Sequence, residues 1–208
     1  MSELSGPVYL NTIYDGSYFA ERGVAPDVFR DCFLGTVSPG AENYHLPPFL
    51  LNSPTFPVYN INGELKGYGF RTGLEGKKYM IYGIKKKEQL YGIHVAAPEI
   101  VRQNRVFIVE GYFDVLIPMS KGIKNVVSIF GNRLSVEQMY LLASLTDNFT
   151  FVLDSDPSGM AGEVTSIALI KKYLPHVSVD TRFVYPYKDI ADMLNMQGGE
   201  GLGMRERV

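Results

Sequence analysis

The residues of this sequence best suited to chemistry are acids that follow directly on apolar runs. In RVFIVEGYFDVL, 105 to 116, the run over 106–109 delivers Glu110 and Gly111, with Asp114 one helical turn further on. In FTFVLDSDPSG, 149 to 159, the run over 149–153 delivers Asp154 and Asp156, then Ser158 and Gly159. Residues just past the carboxyl ends of neighbouring strands in an open α/β sheet converge on one crevice. Carboxylates gathered there repel and raise one another's pKa unless a cation sits among them. A hard divalent ion with oxygen ligands, magnesium in the first place, answers that charge.

Taken singly, each acid has a structural explanation: Glu110 as a solvated loop residue, Asp154 as a helix cap. Taken jointly, two strand ends of one unit carry acids, and that needs a common reason. A calcium loop would share Asp154, Asp156, Ser158 and Gly159, but it requires a bidentate Glu at its twelfth position. That position is Thr165, so the calcium loop fails. An aspartyl-phosphate phosphatase would use Asp154 as nucleophile and Asp156 as acid/base. It leaves Glu110-Gly111 unexplained.

The elements that must position these acids follow from pattern. From residue 99 onward strand and helix alternate. Strand cores fall near 106–109, 125–130, 149–153 and 178–184, with helices between them at about 112–121, 135–146 and 160–174. Ser135 with Gln138 three residues later is a capping-box start. The third helix is expected to bury Val164, Ile167, Ala168 and Leu174 along one stripe. Such alternation predicts a mostly parallel sheet with flanking helices. A short acidic helix, KDIADMLN, and a flexible tail over 195–208 complete the chain.

Residues 1–98 read differently, as a basic mixed α/β subdomain. YFAERGVAPDVFRDCFLG predicts two short helices around the Gly23 turn, with Pro26 at a helix start, Val28, Phe29, Cys32 and Phe33 packed, and Gly35 as the stop. HLPPFLLNSP reads as a connecting loop. FPVYNINGELKGYGFRTG predicts a hairpin turning at Asn62-Gly63. KKYMIYGIKKKEQLYGIHVA then concentrates Lys77, Lys78, Lys85, Lys86 and Lys87, with Arg71 just before and Tyr79, Tyr82 and Tyr91 interleaved. The bland reading of such a stretch is a solvated loop; the functional one is a surface that holds phosphates and stacks bases.

Composition sets outer limits. The 208 residues include 46% hydrophobic and 20% charged side chains, ordinary for a soluble globular protein, with a formal net charge of -2. A lone cysteine, Cys32, excludes an intrachain disulfide and a thiolate zinc site, and is compatible with a reducing compartment. Neither a secretory signal nor a span of roughly 20 apolar residues is visible. The expectation is a soluble, cytoplasmic protein without a membrane partner.

The sequence resembles the Toprim superfamily and, within it, the catalytic core of DnaG-type DNA primases. VEGYFDV is similar to the Toprim strand-Glu-Gly motif in its primase form, VLDSDPSGMAG to the later Asp-x-Asp motif, and SIFGNRLSVEQ to the segment between them. YFAERGVAPDVFRDCFLG, FPVYNINGELKGYGFR and KKYMIYGIKKKEQLYGIHVA resemble successive pieces of the primase basic N-terminal subdomain. The likeness runs over roughly residues 9 to 194. It implies a basic subdomain over 1–98 and a Toprim domain over 99–194. It further implies a nucleotidyltransferase that makes short RNA primers on single-stranded DNA from NTPs, with Mg2+ or Mn2+. Glu110 would be general base or metal-site organiser, with Asp154 beside it in catalysis. Asp114, Asp154, Asp156 and Asp189 would be metal ligands, and Arg71, Lys77, Lys78 and Lys86 would contact nucleotide or DNA. The sequence departs from the family in its last acidic motif, usually Asp-Pro-Asp, where Lys188-Asp189-Ile190-Ala191-Asp192 stands. Nothing here resembles a primase zinc module or helicase-binding domain. The expectation is a stripped core of phage-like size that relies on a helicase or a separate template-selecting subunit. A Toprim nuclease and a non-catalytic binding relic stay open beside the polymerase.

Overall fold

Strand pairing divides the protein into two sheets of opposite character. The computed structural model describes residues 10, 12–13, 15–39, 46–196 and the backbone of 205–206, and the chain forms two compact units, Met1–Ile84 and Lys85–Val208.

The first unit is a five-stranded antiparallel sheet in the order β1 (Thr12–Ile13), β2 (Gly35–Val37), β3 (Pro54–Tyr59), β4 (Leu65–Arg71), β5 (Tyr79–Tyr82). Helices α1 (Ser17–Ala20) and α2 (Pro26–Asp31) lie between the first two strands, with Pro26 at the helix start as its preset φ favours. The β3–β4 hairpin turns at Asn62-Gly63, where Gly63 takes φ +77° and Asn60 Oδ1 accepts from the N–H groups of Asn62 and Glu64. Phe19, Phe56, Phe70 and Val58 are fully buried, with Phe19 edge-on to Phe29 and Phe56. Two expectations fail here. Phe33 is not core: α2 ends at Asp31, Phe33 turns to φ +52°, and its ring lies 58% exposed beside Tyr59. Gly35 does not stop a helix but opens β2.

The second unit carries the parallel sheet. After a 3-10 turn at Lys86–Glu88 come α3 (Ile93–Gln103), β6 (Val106–Val109), α4 (Phe113–Ser120), β7 (Val126–Ser128), α5 (Val136–Ala143), β8 (Asn148–Phe151), α6 (Pro157–Tyr173), β9 (Ser178–Phe183), α7 (Ile190–Met196) and β10 (Arg205–Glu206). The sheet order is β10-β9-β8-β6-β7, parallel except for the antiparallel edge strand β10. Val106, Ile108, Val109, Val126, Val127 and Phe151 are essentially inaccessible, the continuous apolar character of strands covered on both faces. The chain leaves β6 towards β7 and then returns to the other side of β6 as β8, so β6 and β8 flank a topological switch point. Right-handed crossovers then put α4 on one face and α6 on the other, and α4 packs against α7.

Helix α3 was illegible as a helix. Its Pro98 is an interior breaker, yet Ile93, Ala96, Ala97 and Ile100 form one buried stripe. It belongs to the second unit, so the division falls at 84/85 where sequence reading puts 98. Leu174 is buried at the end of α6 as expected, but the helix itself buries a different face from the one expected. Val164 is 63% exposed and Ala168 lies on the surface, whereas Gly159, Gly162, Glu163, Ser166 and Ile170 face inward. Its contact side is lined by small residues that allow backbone to approach closely. Of the expected tail, 195–196 complete α7 and the backbone of 205–206 pairs with β9; the remainder lies outside the described residues. Among the described residues, no helix is long and apolar enough to cross a membrane.

Candidate active site

Each acid reaches the switch point for a local reason. Glu110 is the residue after β6, and its backbone carbonyl accepts from Ser128 Oγ at 2.6 Å, which fixes the strand end against β7. Its side chain turns across to the neighbouring strand, where Glu110 Oε1 accepts the Asp154 N–H at 3.1 Å. Asp114 sits in the first turn of α4, buried, with Oδ2 accepting the Gly111 N–H at 2.9 Å. Asp156 caps α6 by accepting the Gly159 N–H at 2.8 Å. Gly159 has to be glycine: a Cβ there would run into the Asp154 carbonyl and stand 2.9 Å from Glu110 Oε1. Asp189 heads α7, its Oδ1 accepting the Asp192 N–H at 2.8 Å. The Asp192 carboxylate in turn lies 3.5 Å from the Lys188 N–H at the same helix start.

A lysine joins the two later segments. Lys188 Nζ donates to Asp154 Oδ2 at 3.2 Å and to Asp189 Oδ2 at 2.9 Å, while the Lys188 carbonyl accepts the Ser155 N–H at 3.0 Å. Electrostatics records the crowding. Burial pushes the Asp114 carboxyl up to about 7, aided by the charges of Asp189 and Asp154. Burial likewise raises Glu110, with Asp154 and Asp156 adding to it, and raises Asp154 against the pull of Lys188. Hydrogen bonds to Asp189 and Asp154 hold Lys188 firmly protonated.

Five carboxylates with one lysine among them leave negative charge in excess, and hard oxygens in excess charge are what a divalent cation requires. Among the described residues, no three Asp, Glu, His or Cys side chains are gathered tightly enough to share an ion in this arrangement. The donor set fits a hard cation in chemistry, and its carboxylates would have to turn inward to hold one.

Basic residues occur on both units. Arg71 and Lys78 of the first unit lie over the Tyr79 ring, at 5.2 Å and 5.9 Å from its centroid. Lys77 is exposed in the same β4–β5 connection, its carbonyl hydrogen-bonded by Thr72 Oγ1. Lys86 belongs to the second unit and, with Lys87, Phe130, Asn132 and Arg133, lines a cleft of about 580 Å³. Of the interleaved tyrosines, Tyr91 is fully buried, packed edge-on to Tyr112, so it offers no stacking surface.

Three contributors escaped sequence reasoning. Gln138, 2% exposed, holds the Lys86 turn: its Nε2 donates to the carbonyls of Lys86 (2.9 Å), Gln89 (2.8 Å) and Ile129 (3.3 Å). Asn132 Nδ2 donates to the Ser158 carbonyl and Oγ at 2.8 and 2.7 Å, tying the loop after β7 to the start of α6. The capping box made Gln138 visible as a helix start and nothing more. Lys188 stood in plain view beside Asp189 without a role.

Residues 107–194, which hold the parallel sheet with Glu-Gly behind one central strand and Asp-x-Asp behind its neighbour, match the family model described as Toprim-like. The chain is also related to bacterial DNA primases along most of its length. It is 34% identical over 153 residues to the DNA primase of Borreliella burgdorferi, covering 71% of this chain and 29% of that protein. The structure of the Aquifex aeolicus primase zinc-binding and RNA polymerase domains superposes with TM-score 0.72 at 27% identity, covering 89% of this chain and 53% of that one. A DnaG primase catalytic domain bound to ssDNA has the same fold, with TM-score 0.70 at 23% identity over 88% of this chain and 68% of that one. The chain spans about a third or less of the length of the first curated relatives it matches.

Proposed function

We propose that this chain is the catalytic core of a primase-type RNA polymerase, a nucleotidyltransferase that joins NTPs into short primers on single-stranded DNA. The observation that carries this reading is that Glu110 follows β6 and Asp154 and Asp156 follow its neighbour β8, with Glu110 Oε1 accepting the Asp154 N–H at 3.1 Å and Lys188 joining Asp154 to Asp189. The sequence similarity to DNA primases, which continues into the first unit, favours synthesis over other Toprim chemistries.

In the reaction, a 3′ oxygen forms a bond to the α-phosphorus, the bond to the β-phosphate oxygen breaks, and pyrophosphate leaves. Asp114, Asp154, Asp156 and Asp189 would hold divalent cations, Mg2+ or Mn2+. When bound, these supply Lewis acidity toward the hydroxyl and the phosphates. Glu110, with its carboxyl raised by burial and held by the Asp154 N–H, is suited to accept the hydroxyl proton. Arg71, Lys77, Lys78 and Lys86 supply positive charge for triphosphate and template. Positioning and electrostatics account for such catalysis without a covalent nucleophile. A replicative helicase or a template-selecting subunit is the partner such a core would use in a cytoplasmic setting.

The test is incubation with labelled single-stranded template, NTPs and Mg2+ or Mn2+, with and without candidate partners. Accumulating oligoribonucleotides support the reading. Shortened template without products would assign a nuclease instead. Undiminished biological function in a Glu110→Gln, Asp154→Asn double variant would reduce the chain to a binding relic.

A further inference from the structure

Lys188 differs from the other basic residues in where its charge goes. Its ammonium turns back into the acids, bridging Asp154 Oδ2 and Asp189 Oδ2 at 3.2 and 2.9 Å. The backbone around it is held from two directions. Its carbonyl accepts the Ser155 N–H at 3.0 Å, and its own N–H lies 3.5 Å from Asp192 Oδ2. The side chain is 67% exposed, so it can swing without disturbing the core. Asp154 and Asp189 belong to different strand ends and repel one another. The ammonium is the group that bridges them.

A divalent ion would need the same oxygens. A carboxylate oxygen engaged by an N–H of an ammonium is a poorer inner-sphere ligand, and two cations at one small site repel. We propose that Lys188 is a tethered counter-ion that competes with the divalent cation for Asp154 and Asp189. It keeps the two acids together in the metal-free protein and must leave them as the ion enters. Metal affinity is thereby set below what the carboxylates alone would give. The released ammonium then stands at the rim of the site, where a phosphate can take it up. This inference rests on the metal-site reading above.

The experiment is a titration with Mn2+ alone, read by the electron paramagnetic resonance of the free ion. It uses the full chain as parent, Lys188→Met and Lys188→Arg, with thermal melts confirming the fold. Met keeps the length of the stem and loses the charge, so its Mn2+ dissociation constant is expected to fall roughly 2- to 5-fold, the scale of an exposed ion pair. Arg keeps the charge and is expected to stay near the parent. Unchanged or weaker Mn2+ binding by Lys188→Met, with the parent binding normally, would overturn the competition. Absence of binding by both parent and Lys188→Met would overturn the metal site itself, and the competition with it.

Discussion

Replacing Asp114 by Asn isolates the cost of the crowded charge. The Asp114 carboxyl is buried and pushed up to about 7 by that burial first, then by Asp189 and Asp154, against the Gly111 N–H and Lys188. In the unfolded chain an aspartate titrates near ~3.9. The folded protein therefore holds a proton that the unfolded chain has released between about pH 4 and pH 7. Metal-free stability accordingly falls as pH rises through that window and levels off above it. The full difference corresponds to roughly 4 kcal/mol. Asn keeps an oxygen for the Gly111 N–H and never ionises. In the presence of a chelator, Asp114→Asn is expected to match the parent near pH 4. By pH 8 it should exceed the parent by up to about 4 kcal/mol, with a slope no steeper than about 1.4 kcal/mol per pH unit. Urea unfolding at half-unit pH steps measures this directly. Added Mn2+ should stabilise the parent more than the variant, since the variant lacks one ligand. A stability difference that is flat with pH, or a variant less stable at pH 8, would refute the reasoning.

Further outcomes follow from other contacts. Asp154→Asn is expected to lower primer synthesis by at least about 100-fold, the scale of losing a group that stabilises the reacting centre. Salt-sensitive binding to single-stranded DNA should be largely retained, which gel shifts across a salt series would check. Gly159→Ala drives a methyl group into the Asp154 carbonyl and the Glu110 carboxylate. It should cost about 1–3 kcal/mol in chemical denaturation and reduce synthesis. Gln138→Ala leaves the carbonyls of Lys86, Gln89 and Ile129 without their shared donor. A loss of about 1–3 kcal/mol and faster amide exchange over 86–89 are expected, and equal exchange in both proteins would count against the bracing role.

Patterns of one or two dozen residues carried much of this protein. Apolar runs behind Glu110-Gly111 and Asp154-x-Asp156 marked strands whose ends hold acids, because a buried strand must stop being apolar where it meets solvent. The Asn62-Gly63 turn and the Ser135–Gln138 capping box were legible for the same kind of reason: a local backbone conformation demands those side chains. Where a choice depended on what lies opposite, local pattern misled. Val164 and Ala168 had the spacing of a buried stripe, yet α6 presents Gly159 and Gly162 instead, because the loop at Asn132 and the strand end at Asp154 come too close for larger residues. Helix α3 holds Pro98 in its interior, where burial of Ile93, Ala96, Ala97 and Ile100 outweighs one missing hydrogen bond. The sequence by itself determined that two apolar strands each end in acids. Only the tertiary structure decided that β6 and β8 are neighbours, that Asp189 arrives from a third segment, and that Lys188 turns inward to join it to Asp154. Strand order and the meeting of charges across 34 residues are long-range properties, set by how the faces pack and not by the residues on either side.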